Sequence, residues 1–167
     1  MTPAELKTLR EACGLPQSWL AHQAQVNERT VRYWESGKSS VPDDVAALIS
    51  RIDAQLDTAA RGALDQAQAL ATAHGAPQEV TLYRYDTDAE LWERRPDMAG
   101  LPVTCHAALL ARARRLLRTA DFAVVVDTSD LHVQGQGGVI TGWITIESPE
   151  TFHDGMRSRL IHAGGGV

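Results

Sequence analysis

Apolar residues recur in short helical bursts along the first forty positions, each burst closed by a glycine or a polar turn. Leu6, Leu9 and Cys13 stand three to four residues apart, which places them on one helix face. Thr2, Pro3 and Glu5 ahead of them read as a helix start: a capping hydroxyl, a proline suited to the first turn, and an acid three residues after the cap. Gly14 ends this helix. A second helix follows Leu15 and Pro16, with Trp19, Leu20 and Ala24 inward. Gln25, Val26 and Asn27 form a turn; Val26 plugs the core, and Asn27 caps a third helix over residues 28–35. Val31 and Trp34 face inward in that helix. Glu28, Arg29, Arg32 and Tyr33 are left on its outer side, and Ser36 and Gly37 stop it.

The next pattern is much longer. Val45, Leu48, Ile49, Ile52, Leu56, Ala60, Leu64, Ala67 and Leu70 keep helical spacing, and no proline interrupts before Pro77. One helix over residues 43–74 would be ~48 Å long. Gly62 is the point at which it would bend or split. A stripe of this length exceeds what a small three-helix core covers, so its far half needs a partner, which we expect to be a second subunit.

Gly75, Ala76 and Pro77 break the chain, and a boundary is expected there. Residues 80–85 alternate as a strand. Asp86, Thr87 and Asp88 cap a short helix reaching Arg95, and residues 96–102 are loop. Residues 104–119 form a helix rich in Ala and Leu. Residues 122–127, continuously apolar to Val126, read as a buried strand. Strand, two helices, strand gives a small βααβ unit whose strands lie parallel. Residues 139–146 are a further expected strand, and the glycine-rich end an expected mobile tail. The expected fold is therefore mainly α with a small α/β part, divided into residues 1–75, 76–130 and 131–167.

Two consecutive short helices joined by a tight turn are a helix-turn-helix, whose second helix lies in the DNA major groove. The net charge of -5 weighs against a nucleic-acid reader. Its distribution lessens that objection. Residues 1–40 hold five cations (Lys7, Arg10, Arg29, Arg32, Lys38) against four acids (Glu5, Glu11, Glu28, Glu35), and the acidic excess lies downstream. Arg29 and Arg32 match the paired acceptors of guanine, and Glu28 suits a cytosine amino group. Asn27 and Tyr33 complete the candidate base contacts. Gln17, Thr30, Lys38, Ser39 and Ser40 are candidate phosphate ligands.

No run of about 18 apolar residues is present, so no membrane span is expected, and the first residues lack the order of a secretory signal. Two cysteines, Cys13 and Cys105, suit a reducing cytoplasm rather than a disulfide framework. Cys105 and His106 have no second ligand pair at metal spacing. Gly135, Gly137 and Gly138 are not followed by the helix start that a phosphate cradle needs. No nucleophile motif occurs. Neither metal, cofactor nor catalysis is expected. Arg112, Arg114, Arg115 and Arg118 form the densest basic cluster; a solvated helix face is the simpler reading, with an RNA contact as the alternative.

The segments Leu-Pro-Gln-Ser-Trp-Leu-Ala (15–21) and Val-Asn-Glu-Arg-Thr-Val-Arg-Tyr-Trp-Glu-Ser-Gly (26–37) resemble the Xre/Cro-type helix-turn-helix of phage and bacterial repressors. The run from Tyr33 through Val41 and Pro42 to Val45 is similar to the YdiL-like and anti-CRISPR-associated subgroup. The resemblance covers residues 1–127, weakly after 75. It implies a homodimer that binds an inverted repeat in double-stranded DNA, with the C-terminal α/β region supplying the dimer contact. It also implies an ion pair between Arg10 of the first helix and Glu35 at the end of the third. The chain departs from the pattern at Gln25, where glycine is usual. Two rival readings stay open: an antitoxin holding a toxin partner through residues 76–167, and a helix-turn-helix fused to a ligand-binding or enzymatic module.

Overall fold

The computed structural model describes residues 1–74 and 79–128. Among them are six α-helices, a short 3-10 turn and two strands. Helices α1 (Pro3–Ala12), α2 (Gln17–Gln23) and α3 (Glu28–Glu35) precede the long α4 (Asp43–His74). Strand β1 (Val80–Tyr83), α5 (Asp88–Arg94), the 3-10 turn Pro96–Met98, α6 (Val103–Thr119) and β2 (Val124–Asp127) follow.

Local chemistry sets the first three helices. Thr2 and Glu5 close a reciprocal capping box, with the Thr2 amide donating to Glu5 Oε2 at 2.6 Å and the Glu5 amide to Thr2 Oγ1 at 3.2 Å. All three helices end in the same way. The amides of Leu15, Val26 and Lys38 reach back to the carbonyls of Arg10, Ala21 and Tyr33. Gly14, Gln25 and Gly37 sit between at φ +66°, +53° and +74°. These are three Schellman closures, each needing one left-handed residue. Gln25 adopts that conformation in spite of its side chain, at a cost that glycine would not meet.

Helix α4 runs unbroken through Gly62. Its first half packs on α1, and α6 lies along the remainder. The far half of the stripe as far as Ala67 therefore finds its partner within the same chain, which corrects the expectation of a second subunit there, while Leu70 stays 37% exposed. Ala59, Ala60, Ala63 and Ala67 are buried at this contact, and their small side chains let two helix backbones approach closely.

The βααβ unit has the expected order, and β1 pairs with β2 in parallel, Val80 opposite Val124 through Tyr83 opposite Asp127. One expectation fails here: β2 is not a buried strand. Val125 and Val126 are 41% and 43% exposed, whereas Val80 and Leu82 of the neighbouring β1 are buried. The expected boundary at Gly75, Ala76 and Pro77, the strand over 139–146 and the mobile tail lie outside the described residues. No helix among those described is long and apolar enough to cross a membrane.

Candidate nucleic-acid interface

Helix α3 is held from three directions. Its inner face is anchored by Val31, fully buried, and Trp34, 6% exposed. At its start, Asn27 Oδ1 accepts from the Thr30 amide at 3.0 Å and from Thr30 Oγ1 at 3.2 Å. At its end, Glu35 meets Arg10. Arg10 Nε donates to Glu35 Oε1 at 2.5 Å, and the two side chains are 8% and 5% exposed. Arg10 also donates to the Leu15 carbonyl at 2.7 Å, and Gln17 Nε2 donates to Glu35 Oε2 at 2.6 Å. The pair is thus buried and hydrogen-bonded beyond itself, the condition under which a buried charge pair holds. It ties α1, α2 and α3 into one block.

With the inner face fixed, the outer face is fixed too. Glu28, Arg29 and Arg32 are exposed. The Arg32 side chain makes no hydrogen bond or ion pair among the described residues. Arg29 Nε donates to Tyr33 Oη, and its guanidinium lies 5.3 Å from the Tyr33 ring centre. Lys38 Nζ lies 5.3 Å from the same ring. Tyr33 is therefore a platform that orders two cations, a cation–π arrangement. Of the four acids in residues 1–40, Glu35 is neutralised by Arg10, Glu11 lies 3.4 Å from Arg10, and Glu5 closes the α1 start. Around α3 this leaves Arg29, Arg32 and Lys38 against Glu28 alone. The face is basic although the chain is acidic.

The remaining candidates separate. Lys38, Ser39 and Ser40 are exposed beyond Gly37, where phosphates flanking a groove-bound helix would lie. Gln17 is drawn elsewhere, since its amide is bonded to Glu35 and its side chain serves the ion pair. The hydroxyl of Thr30 and the carboxamide oxygen of Asn27 are occupied by the cap. Arg112 leaves the basic cluster, since it faces Asp53 and Asp57 at 2.7 Å each; Arg114, Arg115 and Arg118 are exposed. Cys13 and Cys105 are free and buried, and burial pushes both thiols up to about 12. Among the described residues no group of His, Cys, Asp or Glu is placed to hold a metal.

Contacts between the first two helices and the C-terminal unit were not visible in the sequence. Trp19 Nε1 donates to the Gly100 carbonyl at 2.8 Å, and Thr104 Oγ1 donates to the Gly14 carbonyl. These partners lie 81 and 90 residues apart, and no local pattern announces them.

Residues 4–82 match the family described as helix-turn-helix domain. The chain is 48% identical over 46 residues to the Aca2 repressor of Pectobacterium phage ZF40, covering 27% of this chain and 40% of that repressor. It is also 74% identical over 48 residues to the N-formyl-4-amino-5-aminomethyl-2-methylpyrimidine deformylase of Bacillus subtilis. The same deformylase of Halalkalibacterium halodurans is 73% identical over 48 residues. Those stretches are 29% of this chain but only 11% of each enzyme, and a tenth of an enzyme's length does not bring its activity along. The N-terminal part is a helix-turn-helix of the Xre type, and these likenesses do not divide that type further.

Proposed function

We propose that this chain, whose residues 4–82 carry an Xre-type helix-turn-helix domain, is a sequence-specific DNA-binding regulator of transcription acting in the cytoplasm as a homodimeric repressor. The observation that carries the reading is the outer face of α3, where Arg29 and Arg32 are exposed on a helix locked at both ends and along its inner side. Each subunit lays α3 in one major groove of an inverted repeat. The half-site centres then lie about one helical turn, ~34 Å, apart. Arg29, Arg32 and Glu28 read base edges, while Lys38, Ser39 and Ser40 hold phosphates. Tyr33 steadies Arg29 and Lys38 before contact, which lowers the ordering cost of binding. No catalytic step is assigned to the chain.

A second copy of the chain is supported by the C-terminal unit. Val125 and Val126 of β2 and Trp92 of α5 are the large apolar side chains exposed there, and β2 has an unpaired edge among the described residues, a template for further strand pairing.

The test begins with selection of double-stranded DNA from a random pool, followed by titration of the selected site. Arg29→Ala and Arg32→Ala should each weaken specific binding by ~1–3 kcal/mol, about 5- to 150-fold, with non-specific binding nearly unchanged. Wild-type affinity in both variants would refute the base-contact assignment.

A further inference from the structure

Three segments of chain meet where the end of α1, the middle of α4 and the body of α6 come together, and Arg112 lies at the junction. Its guanidinium donates to Asp53 Oδ1 and Asp57 Oδ1, both at 2.7 Å, to the Asp53 carbonyl at 3.1 Å and to the Ala12 carbonyl at 3.3 Å. The Arg112 side chain is 13% exposed. Ala12 is the last residue of α1, so its carbonyl belongs to the negative, unsatisfied end of that helix. One side chain of α6 therefore grips two elements at once.

Two other contacts lie along the same seam. Gly14 approaches α6 so closely that a Cβ there would stand 2.2 Å from the Thr104 carbonyl oxygen, and the Thr104 hydroxyl bonds back to Gly14. Trp19 in α2 donates to Gly100. All three contacts act on α1, α2 or the loop between them, and none touches α3. Their effect nevertheless reaches α3, because the Arg10–Glu35 pair and the buried Leu6, Leu15, Val31 and Trp34 tie α1 to α3, within a core that continues into α4 and α6.

We propose that Arg112, assisted by Trp19 and Thr104, is a specificity-determining joint: it fixes the angle between the α1–α3 block and the C-terminal unit, and so selects the separation of the two half-sites. The proposal rests on the homodimeric DNA-reading assignment made above. The lever makes small angles matter. A tilt of ~10° displaces any point ~20 Å from the joint, the length of about 13 helical residues, by ~3.5 Å. That is about one base-pair step. A loosened joint then lets a dimer accept spacings that the intact joint rejects, without any change at the base-reading side chains.

The experiment uses the full chain and double-stranded DNA carrying the selected site, with its central spacer shortened or lengthened by one and two base pairs. Arg112→Ala, Arg112→Lys and Trp19→Phe are compared with wild type for dimer mass, affinity for a single half-site, and affinity for each spacing. Wild type should prefer its best spacer over the one-base-pair neighbours by about tenfold or more, an effect the size of one mismatched pair. In Arg112→Ala that ratio should fall at least about threefold, with dimer mass and half-site affinity unchanged. Lys should not restore it, because a single ammonium cannot reach both carboxylates and the Ala12 carbonyl together. A folded, dimeric Arg112→Ala that keeps the wild-type spacing profile overturns the proposal; should that variant fail to fold, the same result in Trp19→Phe does so. A wild-type protein with no spacing preference, or monomeric on its site, instead brings down the dimeric reading itself, and the proposal with it.

Discussion

Removing Glu35 should be far more damaging than its place at the end of a short surface helix suggests. The Arg10 and Glu35 side chains are 8% and 5% exposed. In Glu35→Ala, Arg10 keeps the Leu15 carbonyl at 2.7 Å and Glu11 at 3.4 Å but loses the two contacts that neutralise it. Gln17 Nε2 loses its acceptor as well. Stranding one half of a buried pair costs ~3–5 kcal/mol, and the contacts that survive place this case near the lower end, ~3 kcal/mol. Glu35→Gln, which keeps an acceptor but not the charge, should cost about 1–2 kcal/mol. Urea unfolding is the assay, with the fluorescence of the adjacent, buried Trp34 contributing to the signal. The double variant Arg10→Met, Glu35→Leu should recover to within ~1 kcal/mol of wild type, since well-packed apolar residues often replace such pairs without loss. A coupling energy below ~0.5 kcal/mol in the double-mutant cycle would refute the reasoning. The double variant also separates stability from orientation. It should bind DNA more weakly than wild type although stable, because only apolar packing, with no directional ion pair, then sets the angle of α3 against α1.

Gln25→Gly should raise stability by ~1 kcal/mol, seen as a higher urea midpoint, because it relieves the left-handed backbone at φ +53°; Gln25→Ala should not. Gly62→Ala should also stabilise by ~1 kcal/mol, since Gly62 lies within α4 and a Cβ there meets nothing within 4 Å; a thermal melt showing no gain would contradict this. His106 predicts a pH dependence. Burial, then the neighbouring Arg95, then Arg84 hold its pKa down at about 4, against the opposing pull of Asp97. The unfolded chain therefore takes up a proton before the folded one does. Stability is fully present above about 6.5 and falls as pH drops toward 4, by roughly 3 kcal/mol in all. His106→Phe should flatten that part of the stability–pH curve.

The N-terminal half was legible because its signals are local. Thr2 with Glu5, Asn27 and Gly37 each act within a few residues, and each does in the structure what its position implied. The Arg10–Glu35 pair came from resemblance, and the structure adds Gln17 to it, a residue read from sequence as a phosphate ligand. Nothing local distinguishes a glutamine that donates to phosphate from one that donates to a buried carboxylate 18 positions away. Strand β2 shows a different limit: Val124, Val125 and Val126 look identical to a buried strand in sequence, since a run of valines carries no record of which faces will be covered. Arg112 shows a third. Among four clustered arginines, only the fold says which one turns toward Asp53 and Asp57.

The misplaced partner of α4 bears most directly on function. A 32-residue helix with one apolar stripe looked as if it needed a second molecule along its far half. Instead α6 fills that half as far as Ala67, and the run of Ala59, Ala60, Ala63 and Ala67 gives α6 a shallow track to lie in. Apart from Leu70, 37% exposed near the end of α4, the large apolar side chains left for a second copy are then Trp92, Val125 and Val126 of the C-terminal unit. In the proposed homodimer the contact between subunits and the reading helix are then joined through α4 and the seam at Arg112, not by direct packing. Spacing on DNA becomes a property of the stiffness of that path. Its weakest helical residue is Gly62, in the stretch that α6 braces, so bracing by α6 serves the geometry of recognition as well as the stability of the fold.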